Sequence, residues 1–212
     1  MNLRLTLLRH GETDWNRTGR YQGCIDIPLS ARGRAQAASA ARALSGSSLR
    51  AVYTSPLARA RETADAIARP HGLVVRTAET LNEICHGAWE GLTVEDVRAR
   101  FPDLYRRWQE TPEAVTMPDG ESLAQVEERV RGELRRLQSL HAGETICLVS
   151  HDVPVRLLVL GALGLPPERL WSVGLAATGL TEIEYDREWA TLRRMNSVGH
   201  LGELMTPAHR AR

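Results

Sequence analysis

The stretch from Leu3 to Leu8 is apolar except for Arg4 and Thr6, and it stops at Arg9, His10 and Gly11. A short apolar run closed by glycine predicts a buried strand over residues 3–9. Gly11, Gly19, Gly23 and Pro28 punctuate residues 10–29 and mark a long loop. Ser30 then stands where it can cap a helix running to about Leu44, rich in Ala with Arg on its polar side. "AVYTS" (51–55) reads as a second strand. Ser55 followed by Pro56 reads as the cap and first residue of another helix, because proline at that position loses no hydrogen bond. "LVVR" (73–76) is a third strand, and residues 79–92 form a loop.

Further along, Thr93 with Asp96 has the spacing of a capping box and opens a short helix that ends before Pro102. Leu104, Tyr105 and Trp108 belong to a second short helix. From Ser122, the apolar positions Leu123, Val126, Val130, Leu134 and Leu137 recur at helical spacing and give one long amphipathic helix. "TICLVS" (145–150) is a strand, "VPVRLLVLGALG" a buried helix, and residues 180–185 and 190–195 two final strands. From Gly199 onward no period is visible.

Strands alternating with helices predict an α/β fold, a three-layer sandwich with a mainly parallel sheet between helices. Ligands bind such sheets beyond the carboxyl ends of their strands. The first strand ends in Arg9 and His10, the second in Ser55 just before Arg59, and the fourth in Ser150 and His151. The topology therefore gathers Arg9, His10, Arg59 and His151 at one edge.

Composition narrows the chemistry. The 212 residues suit one domain, and a net charge of +1 offers no broad basic field for nucleic acid or an anionic membrane. No segment approaches the ~20 apolar residues of a membrane span. Arg4 and Arg9 interrupt the N-terminal apolar stretch, so no signal peptide is expected. Every one of the 27 basic residues is Arg, which compositional bias explains. A phosphate site here must still be built from Arg, His and backbone N–H groups. Cys24, Cys85 and Cys147 are odd in number and lack C-x-x-C spacing. They are expected to be reduced thiols in a cytoplasmic protein, with no zinc site.

Two Arg and two His at one point suit a phosphate, since guanidinium presents a planar fork of donors. At an effective dielectric near 20, a unit charge ~4 Å away contributes roughly 4 kcal/mol before desolvation. The same cations lower the imidazole pKa values, which leaves a neutral His10 as a nucleophile. Glu83, in the loop after the third strand, is the candidate proton donor for the leaving alkoxide. Arg and His supply the charge a metal would otherwise bring, so no metal or cofactor is expected. Each residue has a bland reading as well. Arg61 competes with Arg59, Glu79 and Glu90 compete with Glu83, and loop histidines often only bond a neighbouring loop.

"LLRHGETDWN", "TSPLARARETA", "LNEICHGAWEG" and "VSHDVPVR", in this order, resemble the histidine phosphatase superfamily, the relatives of cofactor-dependent phosphoglycerate mutase. The resemblance runs to about residue 160. It implies a phosphoglycerate mutase-like fold, His10 as the phosphorylated nucleophile and Glu83 as the proton donor. It implies Arg9, Asn16, Arg59 and His151 as phosphate ligands. "GRYQG", "CHGAWEG", "PDGESL" and "GHLGEL…AHRA" are similar to the metal-independent phosphoserine phosphatase branch. That likeness implies Gln22, Gly23 and His86 on the substrate side, with the tail 199–212 a candidate cover for the pocket. A small phosphorylated metabolite is the implied partner, and a homodimer fits by analogy.

Two departures bear on this expectation. The bisphosphoglycerate-dependent mutases carry Glu-Arg-His-Tyr-Gly where this chain has Glu83-Ile84-Cys85-His86-Gly87, which favours hydrolysis over transfer to a second hydroxyl. Asp152 follows the second histidine where many members have Gly. It is expected to cap the next helix, with contact to a substrate ammonium as the other option. A mutase-type phosphotransferase and a non-enzymatic phospholigand-binding module are the alternatives.

Overall fold

A computed structural model describes residues 2–186 and 189–206. Its strands are β1 (Leu3–Arg9), β2 (Leu49–Thr54), β3 (Val75–Thr77), β4 (Thr145–Ser150), β5 (Leu180–Tyr185) and β6 (Ala190–Ser197). Its helices are α1 (Asp14–Arg17), α2 (Ala31–Leu44), α3 (Ala58–Ala68), α4 (Val94–Arg100), α5 (Pro102–Glu110), α6 (Leu123–Leu140) and α7 (Asp152–Ala162). The strands form one sheet in the order β3-β2-β4-β1-β5-β6. The ladders from β3 to β1 are parallel, and β5 and β6 add an antiparallel edge.

Strand periodicity builds the two helical layers. Leu5 and Leu7 of β1, Tyr53 of β2 and Ile146 and Leu148 of β4 pack into one core with residues of α6 and α7. Their neighbours Leu8, Val52, Cys147 and Val149 face the other way, against Ala40, Ala60, Ala64 and Ile67 of α2 and α3. The α/β three-layer expectation therefore holds.

Local signals place most elements. Ser30 accepts the Gly33 N–H to open α2, and the capping boxes at Thr93 and Ser122 open α4 and α6. The third strand begins later than its apolar run suggests, and Val74 is exposed just before this short edge strand. Among the described residues, no helix is long and apolar enough to cross a membrane.

The parallel register sets the site. Arg9 lies beside Ser150, and Thr54 beside Val149. The chain leaves β1, β2 and β4 at the same edge, so His10, Ser55 and His151 emerge as neighbours. Gly11 lets the β1 exit pass against α2, since a Cβ there would lie 2.5 Å from the Gly33 carbonyl oxygen.

Candidate active site

His10 is buried directly after β1, with its N–H on the Ser150 carbonyl. Its ring Nδ1 lies 2.7 Å from the Gly11 carbonyl oxygen. A carbonyl only accepts, so Nδ1 carries the hydrogen and Nε2 of the neutral ring keeps its lone pair. Burial, then Arg59 and Arg9, hold the His10 pKa well below its ordinary value. The His151 ring lies beside it, with centroids 5.1 Å apart, and its pKa is also well below normal, first through burial.

Arg59, in the first turn of α3, is 1% exposed. It donates to the Gly23 and Ile25 carbonyls at 2.7 and 2.8 Å. Burial lowers its pKa to about 10, so it remains a cation at neutral pH. Arg9 donates to Asp152 at 3.2 Å. Asn16 commits its amide oxygen to Thr13, which leaves the NH2 end to face a ligand.

Glu83 caps α7 from outside the helix. Its Oε1 accepts the Ile84 and Val153 N–H groups at 3.0 and 3.1 Å, and its Oε2 accepts the Asp152 N–H at 3.0 Å. Its pKa is raised, first by burial and next by the Asp152 charge, against the pull of Arg59 and Arg9. The expected cap at Asp152 is overturned. Asp152 is the first residue of α7, and His151 is its N-cap without a side-chain bond. The Asp152 carboxylate instead reaches Arg156 at 2.9 Å as well as Arg9. With Glu83 already on the helix end and two guanidinium groups beside it, Asp152 has stronger partners than a backbone N–H.

Ser55 corrects a second expectation. α3 starts at Ala58 with Leu57 as its N-cap, and Asp26 accepts the Ala58 N–H at 2.7 Å. The Ser55 hydroxyl bonds His151 Nε2 at 2.7 Å. The third correction concerns thiols. Cys24 and Cys85 form a disulfide with Cα atoms 5.0 Å apart, while Cys147 is free and buried. A separation of 61 residues hid that proximity. Among the described residues, Cys24, Cys85 and Glu90 are the group with metal-ligand spacing. Their two sulfurs are joined to each other and offer no thiolate pair.

A cavity of about 860 Å³ opens over these groups. Arg9, His10, Asn16, Arg59, Glu83 and Asp152 line its polar end together with Gln22, Gly23 and His86. Tyr21, Trp108, Trp171 and Leu175 form an aromatic and apolar wall. His151 lies beneath the lining and is wholly buried. His86 is wedged between the rings of Tyr21, Trp89 and Trp108, and burial lowers its pKa to about 4. It is therefore a neutral hydrogen-bonding group at physiological pH.

Arg9 Nε, Arg59 Nε, His151 Nδ1, His86 Nδ1 and Gln22 Oε1 are buried without a hydrogen-bond partner. Buried polar atoms are nearly always paired, so this cluster marks a ligand position. The donors among them match an oxyanion.

Sequence reasoning missed four supporting groups. Thr63 accepts the Gly11 N–H, and Ser55 holds His151. Glu90 accepts the N–H groups of Cys24 and His86. Arg129, paired with Glu121, donates to the carbonyls of Thr80, Asn82 and Glu83. No local signal in the sequence points to these roles. The tail runs along α2. Arg32 donates to the carbonyls of Glu203, Leu204 and Met205, Gln36 to Leu204, and Ser39 to His200. Thr206 reaches the cavity lining, and residues 207–212 lie outside the described part of the chain.

A parallel sheet edge that offers a bare imidazole nitrogen, two buried guanidinium groups and a raised carboxyl defines a phosphoryl-handling α/β protein. The chain matches the histidine phosphatase superfamily (branch 1) over residues 5–198 and belongs to it. It is similar to phosphoserine phosphatase 1 of Hydrogenobacter thermophilus, with 39% identity over 99% of both chains. It is also similar to the adenosylcobalamin/alpha-ribazole phosphatase of Escherichia coli, with 32% identity over 92% of this chain and 96% of that one. A solved mutant phosphoserine phosphatase from Entamoeba histolytica, in complex with phosphoserine, superposes with a TM-score of 0.84. It is 32% identical, over 94% of this chain and 99% of that chain.

Proposed function

We propose that this chain hydrolyses phosphomonoesters of small metabolites, phosphoserine first among them, through a phosphohistidine on His10. Nε2 attacks phosphorus as the bond to the leaving oxygen breaks. Glu83 gives its proton to that oxygen. Oε2 accepts one N–H and Oε1 two, so Oε2 is the oxygen with room for the proton. Water then attacks the phosphoryl group, the P–N bond breaks, and the Glu83 carboxylate takes the water's proton. Arg9, Arg59, Asn16 and His151 hold the phosphoryl oxygens. Gln22, Gly23 and His86 face the rest of the substrate, and Asp152 acts through Arg9 and Glu83.

The bond between His10 Nδ1 and the Gly11 carbonyl carries this reading, because it fixes the tautomer with a free Nε2 in a cavity of cations. The phosphoserine choice is carried by the named relatives. Ile84 is fully buried in the core and brings no cation to the cavity, which supports hydrolysis over mutase-type transfer. A binding module would have no use for a proton donor.

Brief incubation with labelled substrate and a denaturing quench is expected to trap acid-labile, base-stable label that His10→Ala abolishes. Turnover without such label refutes the mechanism. A panel of phosphoserine, phosphoglycerates and sugar phosphates ranks substrates. Conversion of 3-phosphoglycerate to 2-phosphoglycerate with a trace of bisphosphoglycerate would favour the mutase reading. Metal independence belongs to the same proposal. Activity is expected to survive EDTA, and loss restored by a divalent ion would contradict it. Treating residues 1–212 as one domain, a cytoplasmic location and a homodimer complete the reading; limited proteolysis, fractionation and light scattering test these in turn.

A further inference from the structure

Cys24 lies between Gly23 and Ile25, the two residues whose carbonyls hold the Arg59 guanidinium. Cys85 lies between Glu83 and His86, and its N–H is held by Glu121. The disulfide thus ties the loop that aims a phosphate-binding cation to the loop that carries the proton donor. A second joint close by is Glu90, whose Oε1 accepts from both Cys24 and His86. Both cysteines are half-buried. Cys147, by contrast, is fully buried on β4, and burial pushes its thiol up to about 12, so it stays out of exchange.

We propose that Cys24 and Cys85 form a reversible thiol–disulfide switch that sets the placement of Glu83 and His86 against Arg59. The proposal rests on the phosphatase reading above. Oxidation runs by exchange with a low-molecular-weight disulfide. One cysteine thiolate attacks a sulfur of the reagent and expels a thiolate, giving a mixed disulfide. The second cysteine thiolate attacks the protein sulfur of that mixed disulfide and expels the other thiolate. One reagent disulfide is reduced to two thiols, and two cysteines are oxidised to one cystine. Excess thiol reverses both steps. In the dithiol form the two loops keep the Glu90 bonds and the backbone bonds of Tyr21 to Gly91 and Leu92, but lose the covalent tie beside Glu83. Misplacement of a catalytic group by about 1 Å can cost up to about a hundredfold, so partial loosening is expected to lower kcat/KM by about tenfold.

The test equilibrates the protein in glutathione buffers of graded redox ratio. Thiol state is read by alkylation and intact mass. kcat/KM for phosphoserine and affinity for inorganic phosphate are measured in the same samples. Activity and phosphate affinity are expected to follow the disulfide fraction. Cys24→Ser and Cys85→Ser are expected to sit at the reduced level and ignore the buffer, with melting curves to confirm folding. Cys147→Ser is expected to respond as the wild type does. If no disulfide forms in oxidising buffer, or if it forms while activity and phosphate affinity stay constant, the switch is refuted. If phosphate affinity follows the disulfide fraction while no phosphomonoester is hydrolysed in either state, the switch stands and the phosphatase reading falls.

Discussion

Replacing Glu83 by Gln separates its two jobs. As a cap, the carboxylate accepts three N–H groups, from Ile84, Asp152 and Val153. A carboxamide has one oxygen, which can serve Ile84 and Val153. Its NH2 then faces the Asp152 N–H, donor against donor. One unmet buried bond costs about 1–3 kcal/mol. A domain of this size typically has about 5–15 kcal/mol in hand, so the variant folds with a lowered melting point. As an acid, Gln has no proton to give. Loss of general acid catalysis is worth roughly 10²–10⁴-fold, or about 3–5 kcal/mol of barrier.

That loss applies only where the leaving oxygen needs a proton. The alkoxide of phosphoserine does, and p-nitrophenolate does not. The comparison therefore uses kcat/KM, which reports the steps up to phosphoryl transfer, for both substrates across pH. Glu83→Gln is expected to lose two to four orders of magnitude with phosphoserine. With p-nitrophenyl phosphate the loss stays small. Wild-type activity on phosphoserine falls on the alkaline side as the raised Glu83 carboxyl ionises, and the variant lacks that limb. Equal losses with the two substrates would refute the assignment of the proton to Glu83.

Ser55→Ala leaves both ring nitrogens of His151 unpaired, so it is expected to destabilise the fold by about 1–3 kcal/mol and to weaken inorganic phosphate binding; unchanged calorimetry refutes this. Acid should destabilise the protein early: His10, His86 and His151 have lowered folded pKa values, so the unfolded chain binds protons first and stability falls as pH drops below 6.5. His86, moved from 6.5 to about 4, accounts for roughly 3 kcal/mol lost across that window, and urea midpoints that stay flat from neutrality to about pH 5 contradict the assignment. Asp152→Asn removes a charge that raises Glu83, so the alkaline limb of kcat/KM is expected to move to lower pH; an unmoved limb breaks the link. Arg32→Ala frees the tail carbonyls it holds, so protease cleavage near residues 203–206 and KM for phosphoserine are expected to rise while kcat is kept; a tail that stays protected refutes the contact's importance.

The difference between what the chain spells out and what only its folding reveals follows from the range of each interaction. Strand periodicity and capping boxes act within a few residues, so Leu5 and Leu7, Ser30, Thr93 and Ser122 are readable where they stand. Parallel topology then does the long-range work, bringing Arg9, His10, Arg59 and His151 to one edge. The misreadings at Ser55, Asp152 and Cys24–Cys85 share one cause. The local pattern gives Ser55 and Asp152 a cap and the cysteines no partner, whereas each has its partner on a distant segment: His151, Arg9 and Cys85.

Asp152 shows why such contacts matter. A carboxylate in a phosphate pocket would repel its ligand if it stood alone. Here Arg9 and Arg156 neutralise it at 3.2 and 2.9 Å. What remains of its field falls on Glu83, whose Oε2 accepts the Asp152 N–H, and helps keep that carboxyl protonated. A residue that looks opposed to phosphate binding thus supports the proton transfer, because the loop carrying Glu83 folds onto the start of α7 and takes the place of the cap.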